Sequence, residues 1–131
     1  MSNGSVTKSL LIITGTMGAG KTTVLCEASD ILALRQIPHA AIDLDALGLC
    51  RGIVSTTSTV ICRLTASLET MQLRIQKRES GVSRQEYVAR VAALNAVLDR
   101  ACLEDFTITN ENRSVTEVAY EMLFKAKWIS S

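Results

Sequence analysis

The sequence predicts a three-layer α/β domain, with helices packed on a mostly parallel sheet of about four strands. Three observations carry this reading. Apolar runs of strand length alternate with segments of helical period, the pattern of parallel α/β folds. The first such run passes through a glycine-rich turn directly into a helix. The chain has 131 residues, 47% of them hydrophobic, enough for one buried core and not for two, since a domain of this size buries roughly two-thirds of its unfolded surface.

Strand one is expected over Ser9 to Thr14, and helix one from about Gly20 to Gln36, with Val24, Leu25, Ala28, Ile31 and Leu32 inward. Pro38 marks its end. A second strand, His39 to Asp43, leads into the acidic pair Asp43 and Asp45. A third, Thr59 to Leu64, precedes a helix capped by Ser67, with Leu68, Met71 and Ile75 inward. Ser83-Arg84-Gln85-Glu86 fits a capping box and opens a helix reaching about Arg100, in which Tyr87, Val91, Leu94 and Leu98 recur at helical spacing. Phe106 to Thr109 reads as the last strand. Ser114-Val115-Thr116-Glu117 is a second capping box, opening a helix to about Trp128 with Val115, Val118, Ala119, Met122 and Leu123 inward.

The turn after strand one is the most specific feature. Gly15-Thr16-Met17-Gly18-Ala19-Gly20-Lys21-Thr22 is a complete G-x-x-x-x-G-K-T run, and its place between a strand and a helix gives the pattern structural meaning. Glycines let successive backbone N–H groups turn inward, and the helix offers its positive end to phosphate oxygens. Lys21 is placed to reach β and γ phosphates. The Thr22 hydroxyl is the expected ligand of a bridging Mg²⁺, and Thr23 continues the binding segment. The run predicts binding of a nucleoside triphosphate.

Asp43 and Asp45 are two apart on an extended segment, so both carboxylates can face the loop from the carboxyl end of the sheet. Asp43 suits a magnesium-bound water. Asp45, further out, suits an acceptor hydroxyl as it attacks the γ phosphate. Arg74 and Arg78 lie four apart on one helix face, with Lys77 beside them, and guanidinium groups closing over a moving phosphoryl group stabilise its spread charge. The same spacing also fits a solvated helix face.

Other features narrow the function classes. The charge of +1 comes from 14 basic and 13 acidic residues, with no basic stripe to suggest nucleic acid. No apolar run is long enough to cross a membrane, and Met1 to Lys8 lacks the character of a signal peptide, so a cytoplasmic location is expected. Cys26, Cys50, Cys62 and Cys102 are widely spaced and His39 is the lone histidine, which disfavours zinc; reduced, mostly buried thiols are expected. No N-K-x-D guanine signature follows the loop.

The loop, the strand end I-D-L-D-A-L, the segment L-E-T-M-Q-L-R-I-Q-K-R-E-S-G and the ending D-F-T-I-T-N-E-N-R-S-V-T-E-V-A resemble the small P-loop kinases, the group that contains adenylylsulfate, gluconate and shikimate kinases. The resemblance implies a P-loop NTPase-like fold, ATP and Mg²⁺ on the first segment, and substrate or metal contacts from the aspartate pair. It also implies a lid carrying Arg74 and Arg78, and an adenine-side loop near Asn110 to Ser114, where Arg113 stacks on the base.

The sequence departs from that family in the middle. Between Leu49 and Ser58, where such kinases carry another strand and helices lining the acceptor pocket, it has only Cys50 to Thr57, and Val60 to Leu64 ends without a Walker B acid. Two functions therefore stand side by side. One is an ATP-dependent kinase acting on a small-molecule hydroxyl, and the other is a nucleotide-binding module that has lost its acceptor pocket.

Overall fold

The computed structural model describes residues 9–16, 18–41, 58–78 and 84–130. In chain order the elements are β1 (Ser9–Thr14), α1 (Lys21–Leu34), β2 (Ser58–Thr65), α2 (Leu68–Arg78), α3 (Arg84–Ala101), β3 (Phe106–Thr109) and α4 (Val115–Lys125). The strands form one sheet in the order β1-β2-β3. Both pairings are parallel, with Ser9 opposite Ser58 and Thr14 opposite Arg63 in the first, and Cys62 opposite Phe106 and Thr65 opposite Thr109 in the second. Asp105 extends the second pairing by one step. Its N–H donates to the Ile61 carbonyl at 2.8 Å and its carboxylate accepts from the Ile61 N–H at 2.7 Å.

Alternation along the strands sorts the two sheet faces. Register puts Ile13 beside Cys62 and Leu64 beside Ile108 on one face, where α1 and α4 cover them. Val24, Ala28, Ile31 and Leu32 of α1 join Val118, Ala119, Met122 and Leu123 of α4 in the core. Each buried Leu, Ile or Met contributes about 1.5–3 kcal/mol. Arg63, between Cys62 and Leu64, points to the other face and reaches α3. There it donates to Asp99 Oδ1 at 2.6 Å and Asn95 Oδ1 at 3.0 Å. The Asp99 hydrogen bond, outweighing the cost of burial, raises the Arg63 pKa further. Helices thus lie on both faces of the sheet.

The capping box at α4 forms as its sequence requires. Glu117 N–H donates to Ser114 Oγ at 3.1 Å, and the Glu117 carboxylate answers on the Ser114 N–H. Ser67 Oγ likewise accepts from Thr70 N–H at 3.2 Å at the start of α2.

Four expectations need correction. Three strands, not four, form the sheet among the described residues. Of the strand expected over His39 to Asp43, residues 39–41 are not extended into the sheet, because the His39 ring is held against α1 by Ser29 Oγ at 2.7 Å and by the Ile37 carbonyl at 2.9 Å; residues 42 and 43 lie outside the described residues. Leu68 and Leu94, expected inward, are 42% and 40% exposed. Helical period identifies a face, but among the described side chains α2 buries Met71, Gln72 and Ile75, and α3 buries Tyr87 and Val91.

The fourth concerns thiols. Cys62 is buried, whereas Cys26 and Cys102 are exposed; Cys50 lies outside the described residues. Cys26 falls on the side of α1 opposite Val24 and Ala28, and Cys102 sits just past the end of α3. Burial first, then the nearby Glu121 carboxylate, pushes the Cys62 thiol up to about 12. A maleimide at neutral pH is therefore expected to label Cys26 and Cys102 in the folded protein and Cys62 only after denaturation, read by peptide mass mapping. Native labelling of Cys62 would contradict this core.

Candidate functional site

The chain leaves β1 and passes through residues 15–20 into α1, so the glycine-rich run lies at the carboxyl end of a parallel strand. Gly18 and Gly20 adopt φ of +86° and +93°, which side chains with a Cβ rarely tolerate. Contacts add a second reason. A Cβ on Gly18 would lie 2.6 Å from the Met71 carbonyl oxygen, and one on Gly20 would fall onto the Asn110 side-chain nitrogen. Gly20 is also the N-cap of α1, with no side chain to satisfy the first-turn N–H groups. Those donors have no acceptor within the helix and carry its positive end.

Within the loop, the Ala19 N–H donates to the Thr16 carbonyl at 3.1 Å and closes a turn. Lys21 folds back so that Nζ donates to the Gly15 carbonyl at 2.8 Å. Its ammonium is thus held over the loop that it is expected to serve. Thr16 and Ala19 are buried, and Thr22 and Thr23 are exposed at the first turn of α1.

Two elements brace this loop. α2 packs into the core through Met71 and Ile75, each 2% exposed, and Met71 Sδ accepts from the Thr16 hydroxyl at 3.1 Å. Arg74 Nη1 donates to the Gly18 carbonyl at 2.8 Å, and Nη2 donates to the Asn110 carbonyl at 2.6 Å. Asn110, just past β3, is itself 8% exposed; its side-chain amide donates to the Ala19 carbonyl at 2.8 Å and its N–H to the Thr65 carbonyl at 2.7 Å. Glu111 then accepts from the Ser67 N–H at the start of α2. That backbone hydrogen bond, ahead of smaller contributions from the Ser67 and Thr70 hydroxyls and the Arg74 charge, lowers the Glu111 pKa.

The structure therefore gathers Gly15, Thr16, Gly18, Ala19, Gly20, Lys21, Arg74 and Asn110 in one place. Met17, Asp43 and Asp45 lie outside the described residues, as does the Arg78 side chain, whose backbone ends α2. Arg113 is elsewhere engaged. Its guanidinium pairs with Glu121, which Lys125 also approaches at 3.0 Å, and these two cations, Lys125 first, hold the Glu121 carboxyl below its usual range. Sequence reasoning missed Met71 as a loop contact, since it reads as an ordinary inward helix position. It also missed Glu111, because a carboxylate capping a helix 44 residues away leaves no local pattern.

Among the described residues, no group of three or more histidine, cysteine or acidic side chains is arranged to hold a metal ion, and no helix is long and apolar enough to cross a membrane. The donor set at the loop is of a different kind: backbone N–H groups at a helix start, one lysine and exposed threonine hydroxyls. It fits phosphate oxygens, and Thr22 offers a hard oxygen to a cation bound with them. No family model matches the chain, and no curated protein matches its sequence.

Proposed function

We propose that this protein binds ATP with Mg²⁺ at residues 15–23 and transfers the γ phosphoryl group to a hydroxyl of a small molecule, as a P-loop kinase-like enzyme. The observation that carries the reading is the loop itself. A complete G-x-x-x-x-G-K-T run joins a parallel strand to a helix, with Gly18 and Gly20 at positive φ and the Lys21 ammonium drawn across to the Gly15 carbonyl. Lys21 and the first turn of α1 would hold the phosphates, and Thr22 with Asp43 the Mg²⁺, which neutralises phosphate charge when bound. Asp45 would accept the proton of the attacking hydroxyl. Arg78, on the same helix face as Arg74, would bring positive charge to the transferring group.

A nucleotide-binding module without transfer is the second reading, and one observation favours it. Both terminal nitrogens of Arg74 donate to backbone carbonyls, which takes one of the two expected arginines away from the phosphates. Calorimetric titration with ATP and Mg²⁺, paired with an ATP-consumption assay over a panel of hydroxyl compounds, separates these readings. Saturable binding with turnover supports the kinase, binding without turnover supports the module, and no binding removes both.

Once an acceptor is identified, Asp45→Asn is expected to abolish transfer while ATP affinity stays within about twofold. Losing one preorganised group that acts on the transition state typically costs on the order of a hundredfold in rate. Turnover at the wild-type rate would make Asp45 a turn residue only.

A further inference from the structure

We infer that Arg74 and Asn110 are positioning residues that set the phosphate affinity of the loop by holding its outward carbonyls, and that neither acts by touching the nucleotide. The inference rests on the nucleotide-binding reading above and reassigns the two residues within it.

The argument starts from the peptide unit. A trans peptide is planar, so the carbonyl of one residue and the N–H of the next point in opposite directions. Arg74 Nη1 fixes the Gly18 carbonyl at 2.8 Å, and the following Ala19 N–H is correspondingly turned onto the Thr16 carbonyl at 3.1 Å. Asn110 Nδ2 fixes the Ala19 carbonyl at 2.8 Å, which turns the Gly20 N–H the opposite way, away from Asn110. Two successive peptide planes, including those that lead into α1, are thereby set from outside the loop.

The two residues also hold each other. Arg74 Nη2 donates to the Asn110 carbonyl at 2.6 Å, and the Asn110 N–H is tied to Thr65 at the end of β2. The clamp is anchored to the sheet and not to a moving segment, because α2 is fixed by buried Met71 and Ile75. Such support is how a loop keeps donors aimed before a ligand arrives, which lowers the ordering cost of binding. Glycine at position 20 is part of the device, since a Cβ there would displace the Asn110 amide.

The test is titration of wild type, Arg74→Ala, Arg74→Lys, Asn110→Asp and Asn110→Ala with three probes in Mg²⁺: ATP, ADP and inorganic tripolyphosphate. Loss of a hydrogen bond involving a charged group changes affinity by about tenfold or more. A positioning role predicts that each variant weakens all three probes by the same factor, about tenfold for Arg74→Ala and Asn110→Asp and less for Arg74→Lys. Arg74→Ala weakening ATP much more than ADP would overturn the inference by showing a γ-phosphate contact. Asn110→Asp weakening ATP and ADP while sparing tripolyphosphate would overturn it by showing a base contact.

A second arm needs no ligand. Amide hydrogen exchange of the free protein is expected to speed up in the peptide spanning residues 15–22 in Arg74→Ala and Asn110→Ala, with α4 protection unchanged. Unchanged exchange in that peptide would sink the clamp. If wild type binds none of the probes, the nucleotide reading fails, and the exchange arm still decides whether these residues hold the loop. Should Arg74→Ala fail to fold, Arg74→Lys and the two Asn110 variants carry both arms.

Discussion

Replacing Lys21 by alanine is expected to lower ATP affinity about a hundredfold and leave the protein folded. The ammonium donates to the Gly15 carbonyl at 2.8 Å, and the side chain is only half-buried. Its loss therefore costs the fold no more than about 1 kcal/mol, the net value of one hydrogen bond. Against phosphate the balance differs. A charge-assisted hydrogen bond to an anionic ligand contributes about 1.5–3 kcal/mol, and three kcal/mol corresponds to roughly a hundredfold in dissociation constant. Calorimetry for affinity and a urea midpoint for stability check the two halves separately. Undiminished ATP affinity in a folded variant would remove the loop from the site, and collapse of the fold would make Lys21 a structural residue.

The largest effect on stability is expected from Leu64→Ala, a loss of about 2–5 kcal/mol. Leu64 is 1% exposed and sits in the middle strand of three, in register with Ile108 of β3. Helices α1 and α4 lie over that face, so the cavity left by alanine has core on both sides and little room to collapse. Set against a total of roughly 5–15 kcal/mol for a domain, this moves the urea midpoint strongly. It also reaches the loop, because the Leu64 carbonyl lies against Gly15, where a Cβ would come within 2.5 Å of it. A loss under about 1 kcal/mol, typical of exposed positions, would show that this face of the sheet is not the core.

These two variants separate what carries the ligand from what carries the fold, and Asn110 stands between them. The resemblance to small P-loop kinases implies an adenine-side loop at this position. In the structure Asn110 is nearly buried and spends its amide on Ala19. The difference has a physical origin. A sequence shows that a polar residue ends a strand, but not which carbonyl lies opposite when parallel strands come into register.

What the sequence determined by itself is local. The start of α4 follows from Ser114 and Glu117, which satisfy each other within four residues. β1, β3 and α1 fall close to where apolar runs and Pro38 place them, and the loop joins β1 to α1 because glycine alone suits its φ values. Tertiary structure decided which faces are covered and which side chains meet. Cys26, Leu68 and Leu94 lie exposed although their composition suggests burial, since periodicity marks a face without saying whether anything packs on it. Arg74 reaches Gly18 across 56 residues and Asn110 reaches Ala19 across 91. Such contacts exist only once the sheet order β1-β2-β3 has brought the ends of neighbouring strands together, and no short-range pattern encodes that.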